Sequence, residues 1–322
     1  MTRPRLIVTR RWPAEVERAL AERFDVSFND DDHPFTPPEM QQALASCDAL
    51  LTTVSDRIDA SVLRTAPRAK LLANYGVGYS HIDLDAAKAC GITVTNTPDV
   101  LTDCTADLAI TLMLMTARRA GEGEREVRSG SWTGWRPTHM IGTSVTGKTL
   151  GLIGMGRIAK AVAMRAQHGF GMKIVFFNRS RLAPEQLAGL DARQCDSVEE
   201  VLAQADFVSL HCPGGAATHH LINGERLATM RREAFLINTA RGEVIDEQAL
   251  IDALHNGTIA GAGLDVFEAE PRVSEALLTM ENVVLLPHLG SATRETRVGM
   301  GMRVLDNVTA YFDGRTPPDK VA

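Results

Sequence analysis

No stretch of this 322-residue sequence stays apolar long enough to span a bilayer, and its opening, MTRPRLIVTRRWP, returns to charge too soon for a secretory segment. No block of lysine or arginine stands out, and the formal net charge is -6. Nucleic acid and anionic membranes therefore have no electrostatic claim on the chain. Cysteine is sparse: Cys47, Cys90, Cys104, Cys195 and Cys212 are scattered, odd in number and form no CxxC pair. That pattern argues against a disulfide framework or a structural zinc and suggests reduced thiols in the cytoplasm. Low-complexity tracts and fixed-period repeats are missing as well. What is present is an ordinary globular composition, 44% hydrophobic and 23% charged, on a chain long enough for two domains.

Short apolar runs alternate with longer amphipathic segments. Residues 5–9, 24–28, 48–53, 69–74 and 92–95 read as strands, and 13–22, 37–45 and 83–90 as helices between them. A second series of strands follows at 149–154, 173–177, 206–210, 234–238, 259–265 and 282–286. Strands alternating with helices imply an α/β class with doubly wound parallel sheets. Between the two series, 101–120 reads as one long helix. After it comes a loop-like stretch, 121–147, that carries Trp132 and Trp135. A loop of that length needs a reason, and an arm wrapped around a second subunit supplies one. A closing helix is expected over 291–313.

Within the second series, GLIGMGRIAKAVA places Gly154, Gly156 and Ala159 directly after a strand and at the start of a helix. The first glycine allows a tight turn, the second lets the backbone approach a pyrophosphate, and the small third residue permits close packing. The helix N-terminus then offers its free N–H groups to phosphate. Gly154, Met155, Gly156, Arg157 and Ile158 are thus candidate cofactor contacts. The next strand ends in Asn178-Arg179-Ser180, where an NAD site usually carries Asp or Glu. A cation with donors suits a 2′-phosphate, so NADP(H) is the expected preference, with NAD(H) possible.

Three later strands end in ionisable side chains. AFLINTARGE brings Arg241, GAGLDVFEAEP brings Asp265, Glu268 and Glu270, and NVVLLPHLGS brings His288. A lone histidine at a turn is more often structural. Three such residues at the carboxyl ends of strands, where ligands of open α/β sheets bind, point to chemistry. Glu268 alone reads as solvated.

The sequence resembles the D-isomer-specific 2-hydroxyacid dehydrogenases, in particular their glyoxylate/hydroxypyruvate reductase branch. The likeness spans almost the whole chain and is carried by ANYGVGYSHIDLDAA, VTNTPDVLTDCTADLA, VTGKTLGLIGMGRIAKAVA, FFNRS, INTARGEVIDEQAL, AGAGLDVFEAEP and LLPHLGSATRETR. Departures are small: Ala159 for a frequent glycine, Cys104 for alanine, and Ser80-His81 for Asp followed by Asn or His. The resemblance implies a Rossmann nucleotide domain, 98–289, inserted into a flavodoxin-like substrate domain made of 1–97 and 290–322.

The resemblance assigns Arg241, Glu270 and His288 as the catalytic trio. Arg241 would bind and polarise a 2-oxo acid, and His288, paired with Glu270, would donate the proton. It implies further cofactor contacts at Thr105, at Cys212 and Pro213, at Thr239 and Ala240, and at Asp265 and Gly290. For the substrate it implies carboxylate donors at Val77 and Gly78, with Val54 and Tyr75 as pocket walls. No metal is implied. The expected reaction is NADPH-dependent reduction of glyoxylate or hydroxypyruvate by a cytoplasmic homodimer. The alternatives are another D-2-hydroxy acid (D-lactate, phosphoglycerate or a bulkier one) or an NAD(H)-sensing co-repressor without catalysis.

Overall fold

A computed structural model describes residues 3–64 and 67–322. They fold as two compact units, one made of the residues up to Leu101 together with Ser291–Ala322, the other of Thr102–Gly290.

The first unit holds a five-stranded sheet. Its strands are β1 (Arg5–Val8), β2 (Asp25–Ser27), β3 (Ala49–Thr53), β4 (Leu71–Tyr75) and β5 (Thr93–Thr95). They are all parallel, in the order β2-β1-β3-β4-β5. This is the flavodoxin-like order. Strands β3 and β4 are apolar and buried almost throughout, as strands covered on both faces must be. The closing helix, Arg294–Phe312, packs back onto β4.

The second unit holds seven parallel strands: β6 (Thr149–Ile153), β7 (Lys173–Phe177), β8 (Ala192–Gln194), β9 (Phe207–Leu210), β10 (Phe235–Asn238), β11 (Gly261–Leu264) and β12 (Val283–Leu285). Their order is β12-β11-β10-β9-β6-β7-β8. The chain reverses direction of growth between β6 and β9, the switch point where dinucleotides bind in this topology. At the far side, Asn238 of β10 pairs with Leu264 of β11, and Leu264 with Leu285 of β12. The three strands therefore end in register, and the residues that follow them emerge in one row.

Two sequence readings need correction here. The helix expected over 101–120 ends at Ala117, and Arg119 takes a left-handed backbone, φ 54°. A second helix, Ala120–Ser129, then occupies the start of the supposed loop. It buries no residue, so it has no apolar stripe to betray it. Ion pairs along and off its surface stand in for one: Arg119 with Glu122 at 2.6 Å, Arg128 with Glu124, and Arg125 with Glu281. Strand β8 was also missed, because Ala-Arg-Gln at a sheet edge has neither an apolar run nor alternation. Among the described residues, no helix is long and apolar enough to cross a membrane.

Candidate active site

The glycine loop leaves β6 through Gly154, whose φ of 91° and whose approach to the His211 carbonyl (a Cβ would lie 2.8 Å from that oxygen) both require glycine. Gly156 then caps the helix Arg157–Phe170 without any side-chain hydrogen bond. A helix N-terminus without a side-chain cap suits a phosphate. Asn178, just past β7, accepts from the Met155 N–H at 3.2 Å and donates to the Ser180 carbonyl at 3.0 Å and its hydroxyl at 3.2 Å. Its amide therefore orders the turn and is not a free outward donor. Arg179 is exposed, and its guanidinium has no partner among the described residues.

Around this loop the other expected cofactor residues fall within the same unit. Thr239 Oγ1 is buried without any partner among the described residues, an acceptor and donor waiting for a ligand. Thr105 donates its hydroxyl to the Gly290 carbonyl at 2.9 Å. Burial pushes the Cys212 thiol up to about 11, so it stays protonated and unreactive at neutral pH. Pro213 lies exposed beside it. These features fit a bound dinucleotide.

His211 carries a separate consequence. Its Nε2 meets the Ser209 hydroxyl at 2.9 Å, and burial pushes the imidazole from its ordinary 6.5 down to about 4. The unfolded chain takes up a proton near pH 6.5 that the folded chain refuses, so stability falls as the solution is acidified through that window. Between pH 7 and 5 the unfolding free energy is expected to drop by roughly 2 kcal/mol from this group. Denaturant titrations of His211→Gln should show that part of the slope removed; an unchanged slope would place the effect elsewhere.

The aligned ends of β10, β11 and β12 carry the trio. Asn238, the last residue of β10, is buried and holds the following turn at both sides: its Oδ1 accepts from the Ala240 N–H at 2.9 Å, and its Nδ2 donates to the Arg241 carbonyl at 2.9 Å. Arg241 donates from Nη1 to the Ala240 carbonyl at 2.6 Å. Gly242 comes next because its backbone lies against that of Phe267; a Cβ there would sit 1.9 Å from the Phe267 carbonyl carbon. That contact brings the arginine turn onto the segment leading to Glu270. Burial pulls the Arg241 guanidinium down from its usual range, against the favourable charges of Glu270 and Glu243.

Past β11, Asp265 is only 1% exposed and anchors residues 288–290 after β12. Its carbonyl accepts from the His288 N–H at 2.9 Å, Oδ1 from the Leu289 N–H at 2.6 Å, and Oδ2 from the Gly290 N–H at 2.8 Å. Burial pushes this carboxyl up, while the two N–H groups and His288 oppose the rise. His288 itself is held at φ 54°, a left-handed conformation costly for a side chain with a Cβ. Its Nδ1 lies 2.9 Å from Glu270 Oε2, and Glu270 Oε1 accepts from the Phe267 N–H at 3.0 Å. Burial raises the Glu270 carboxyl, but His288, the Phe267 N–H and Arg241 outweigh it and hold it below its ordinary range. The pair leaves Nε2 of His288 as the nitrogen with no partner among the described residues. Glu268, read as solvated, is exposed and also meets His220 at 2.6 Å and the Glu247 N–H at 3.2 Å.

Sequence reasoning missed Asn238, whose only signal is a short amide at the end of an apolar run. Asn238→Ala should release the 239–241 turn and lower kcat/KM by about 10- to 100-fold, the scale of a small misplacement of a reacting group. Circular dichroism and melting would confirm that the fold survives; unaltered kinetics in a folded variant would deny the residue its role.

The first unit contains its own candidate, the loop 76–80 after β4. Asn74 is buried and donates to the carbonyls of Gly76 and Gly78, both at 3.0 Å. Asn96 donates to the Val77 carbonyl at 2.9 Å, and the Thr97 N–H also reaches Gly76. With the three carbonyls turned inward, the Val77 and Gly78 N–H groups have no partner among the described residues. Two adjacent N–H groups without such a partner can receive an anion. Tyr75 donates its hydroxyl to the Arg297 carbonyl, and its ring sits 4.5 Å from that of Trp12. Val54 is half-buried just past β3. Neither Asn74 nor Asn96 was singled out in the sequence.

Comparison with known proteins agrees with this architecture. The family model for the NAD binding domain of D-isomer specific 2-hydroxyacid dehydrogenases matches residues 110–290. The glyoxylate reductase of Thermococcus kodakarensis is 46% identical over 323 residues, covering 99% of this chain and 96% of that one. A glyoxylate reductase from Paecilomyes thermophila superposes with a TM-score of 0.87 at 33% identity, covering 100% and 99% of the two chains. An NADPH-dependent glyoxylate/hydroxypyruvate reductase from Sinorhizobium meliloti, solved with NADP and malonate, gives 0.89 at 36% identity, covering 100% and 97%. The chain belongs to the D-isomer-specific 2-hydroxyacid dehydrogenases, in their glyoxylate reductase branch, and is an NAD(P)-dependent enzyme of that family.

Proposed function

We propose that the enzyme reduces a small 2-oxo acid, glyoxylate or hydroxypyruvate, to the 2-hydroxy acid, with NADPH as the preferred cofactor. The observation that carries this reading is the row formed by Arg241, Glu270 and His288 beyond three strands that end in register, with His288 Nδ1 at 2.9 Å from Glu270. When bound, the nicotinamide supplies hydride to the substrate carbonyl carbon. Arg241, planar and permanently charged, binds the oxo acid's oxygens and polarises the carbonyl. His288 gives its proton from Nε2 to the carbonyl oxygen, and Glu270 favours the protonated ring and fixes its orientation. The first unit, taken by itself, offers the Val77 and Gly78 N–H groups, which suit a carboxylate.

A screen of 2-oxo acids by kcat/KM tests the substrate class. Glyoxylate and hydroxypyruvate should rank above pyruvate and branched oxo acids; a bulkier acid at the head of the series would replace this reading with a different member of the family's chemistry. The five cysteines are free thiols, which supports a reducing, cytoplasmic setting.

The enzyme is further proposed to act as a homodimer. Val127, Trp132, Trp135 and Ile141 are 60%, 52%, 82% and 68% exposed within one stretch, a concentration of apolar surface that favours burial against a second copy. Light scattering at micromolar concentration should give twice the chain mass; a monomer mass would refute it.

A further inference from the structure

Outside the trio, one cluster of side chains has a donor set of its own. Among the described residues, His219, His220 and Glu268 are the single group of three histidine, cysteine or carboxylate side chains whose ligand atoms gather closely, all within 4.8 Å of one another. The histidines follow β9 and the glutamate follows β11. The turn after β10 lies between them: the His220 N–H donates to the Glu243 carbonyl at 2.8 Å, and the neighbouring Gly242 packs against the Phe267 backbone. His220 adopts a left-handed backbone, φ 49°. In an extended chain, neighbouring side chains point to opposite sides; here the two imidazoles stack with centroids 3.9 Å apart. His220 Nε2 lies 2.6 Å from Glu268 Oε1, while Glu268 Oε2 accepts from the Glu247 N–H at 3.2 Å. The glutamate is thus held by an outer partner on one oxygen and presents the other to the histidines, the arrangement that orients carboxylate ligands.

We propose that His219, His220 and Glu268 form a site for a divalent transition-metal ion of the zinc type, which pins the loop after β9 to the loop after β11. Two imidazoles and one carboxylate suit zinc, cobalt or nickel, and the exposed face leaves room for water as a fourth ligand. Bonds of about 2.0–2.2 Å to each donor place the donors roughly 3.4 Å apart in a tetrahedral site. On binding, the 2.6 Å contact between His220 and Glu268 opens to admit the ion, and His219, exposed and with no partner for its ring nitrogens among the described residues, can swing to join them. Binding involves no redox step: the metal takes the lone pairs of neutral imidazoles and of the carboxylate, and any proton on the rings leaves to solvent. The ion takes no part in the reduction proposed above. It fixes the segment two residues before Glu270.

The test uses the full chain without an affinity tag, stripped with a chelator and titrated with zinc chloride by calorimetry. Cobalt chloride in parallel reports coordination by its visible absorption. A single equivalent is expected to bind in the micromolar range and to raise the melting temperature. His219→Ala and Glu268→Gln, both at positions where the fold does not depend on the side chain's burial, should each weaken it by more than about tenfold, since even outer-shell losses reach that scale. No saturable binding by the wild type, or equal affinity in folded variants, would overturn the site. Neither result bears on the oxo-acid reduction, which is measured without added metal.

Discussion

His288→Ala is expected to lower kcat for oxo-acid reduction by about two to four orders of magnitude, the usual contribution of a positioned acid. The geometry gives the reason. The ring is not a satisfied core histidine: one nitrogen meets Glu270 at 2.9 Å and the other has no partner among the described residues. Its backbone is held in a left-handed conformation by three hydrogen bonds through Asp265. Strain kept in place by a buried anchor is what a positioned acid requires and what a surface histidine would shed. Steady-state kinetics with saturating cofactor decide the matter. Near-normal turnover in His288→Ala would return this residue to a structural role.

The second large effect concerns the cofactor. NADPH should exceed NADH by about one to two orders of magnitude in kcat/KM, the range that charge-assisted hydrogen bonds of roughly 1.5–3 kcal/mol provide. On the proposed reading, Arg179 would supply the cation and the Ser180 hydroxyl a neighbouring donor. The strand end bears no acid to repel a 2′-phosphate or to grip a bare ribose diol. Asn178 contributes indirectly, by holding the turn and the Met155 N–H together. Arg179→Ala should erase most of the preference by weakening NADPH and leaving NADH nearly unchanged. Equal efficiency of both cofactors in the wild type would show that Arg179 serves only the solvent.

The strands, the glycine loop and the three charged strand ends were legible because each is written locally. An apolar run followed by Gly-x-Gly, or by an ionisable residue, announces its own position in a parallel sheet. What escaped is of two kinds. Helix Ala120–Ser129 and strand β8 bury too little to leave a hydrophobic period, and ion pairs and edge pairing hold them instead. Asn74, Asn96 and Asn238 act through backbone groups a few residues or some twenty residues away. An asparagine that fastens a turn looks, in sequence, like any polar residue after a strand. Asp265 shows the same limit in another form: its place at a strand end was plain, but its grip on 288–290 depends on the register of β11 with β12.

The pairing of Glu270 with His288 is open to one direct measurement, the pH dependence of kcat/KM for reduction in the wild type and in Glu270→Gln. If reduction draws its proton from the imidazole as proposed, the rate should fall on the alkaline side. Replacing the carboxylate removes the anion beside the ring, and the alkaline limb should move to lower pH. A profile that keeps its position in the variant would contradict the proposed pair.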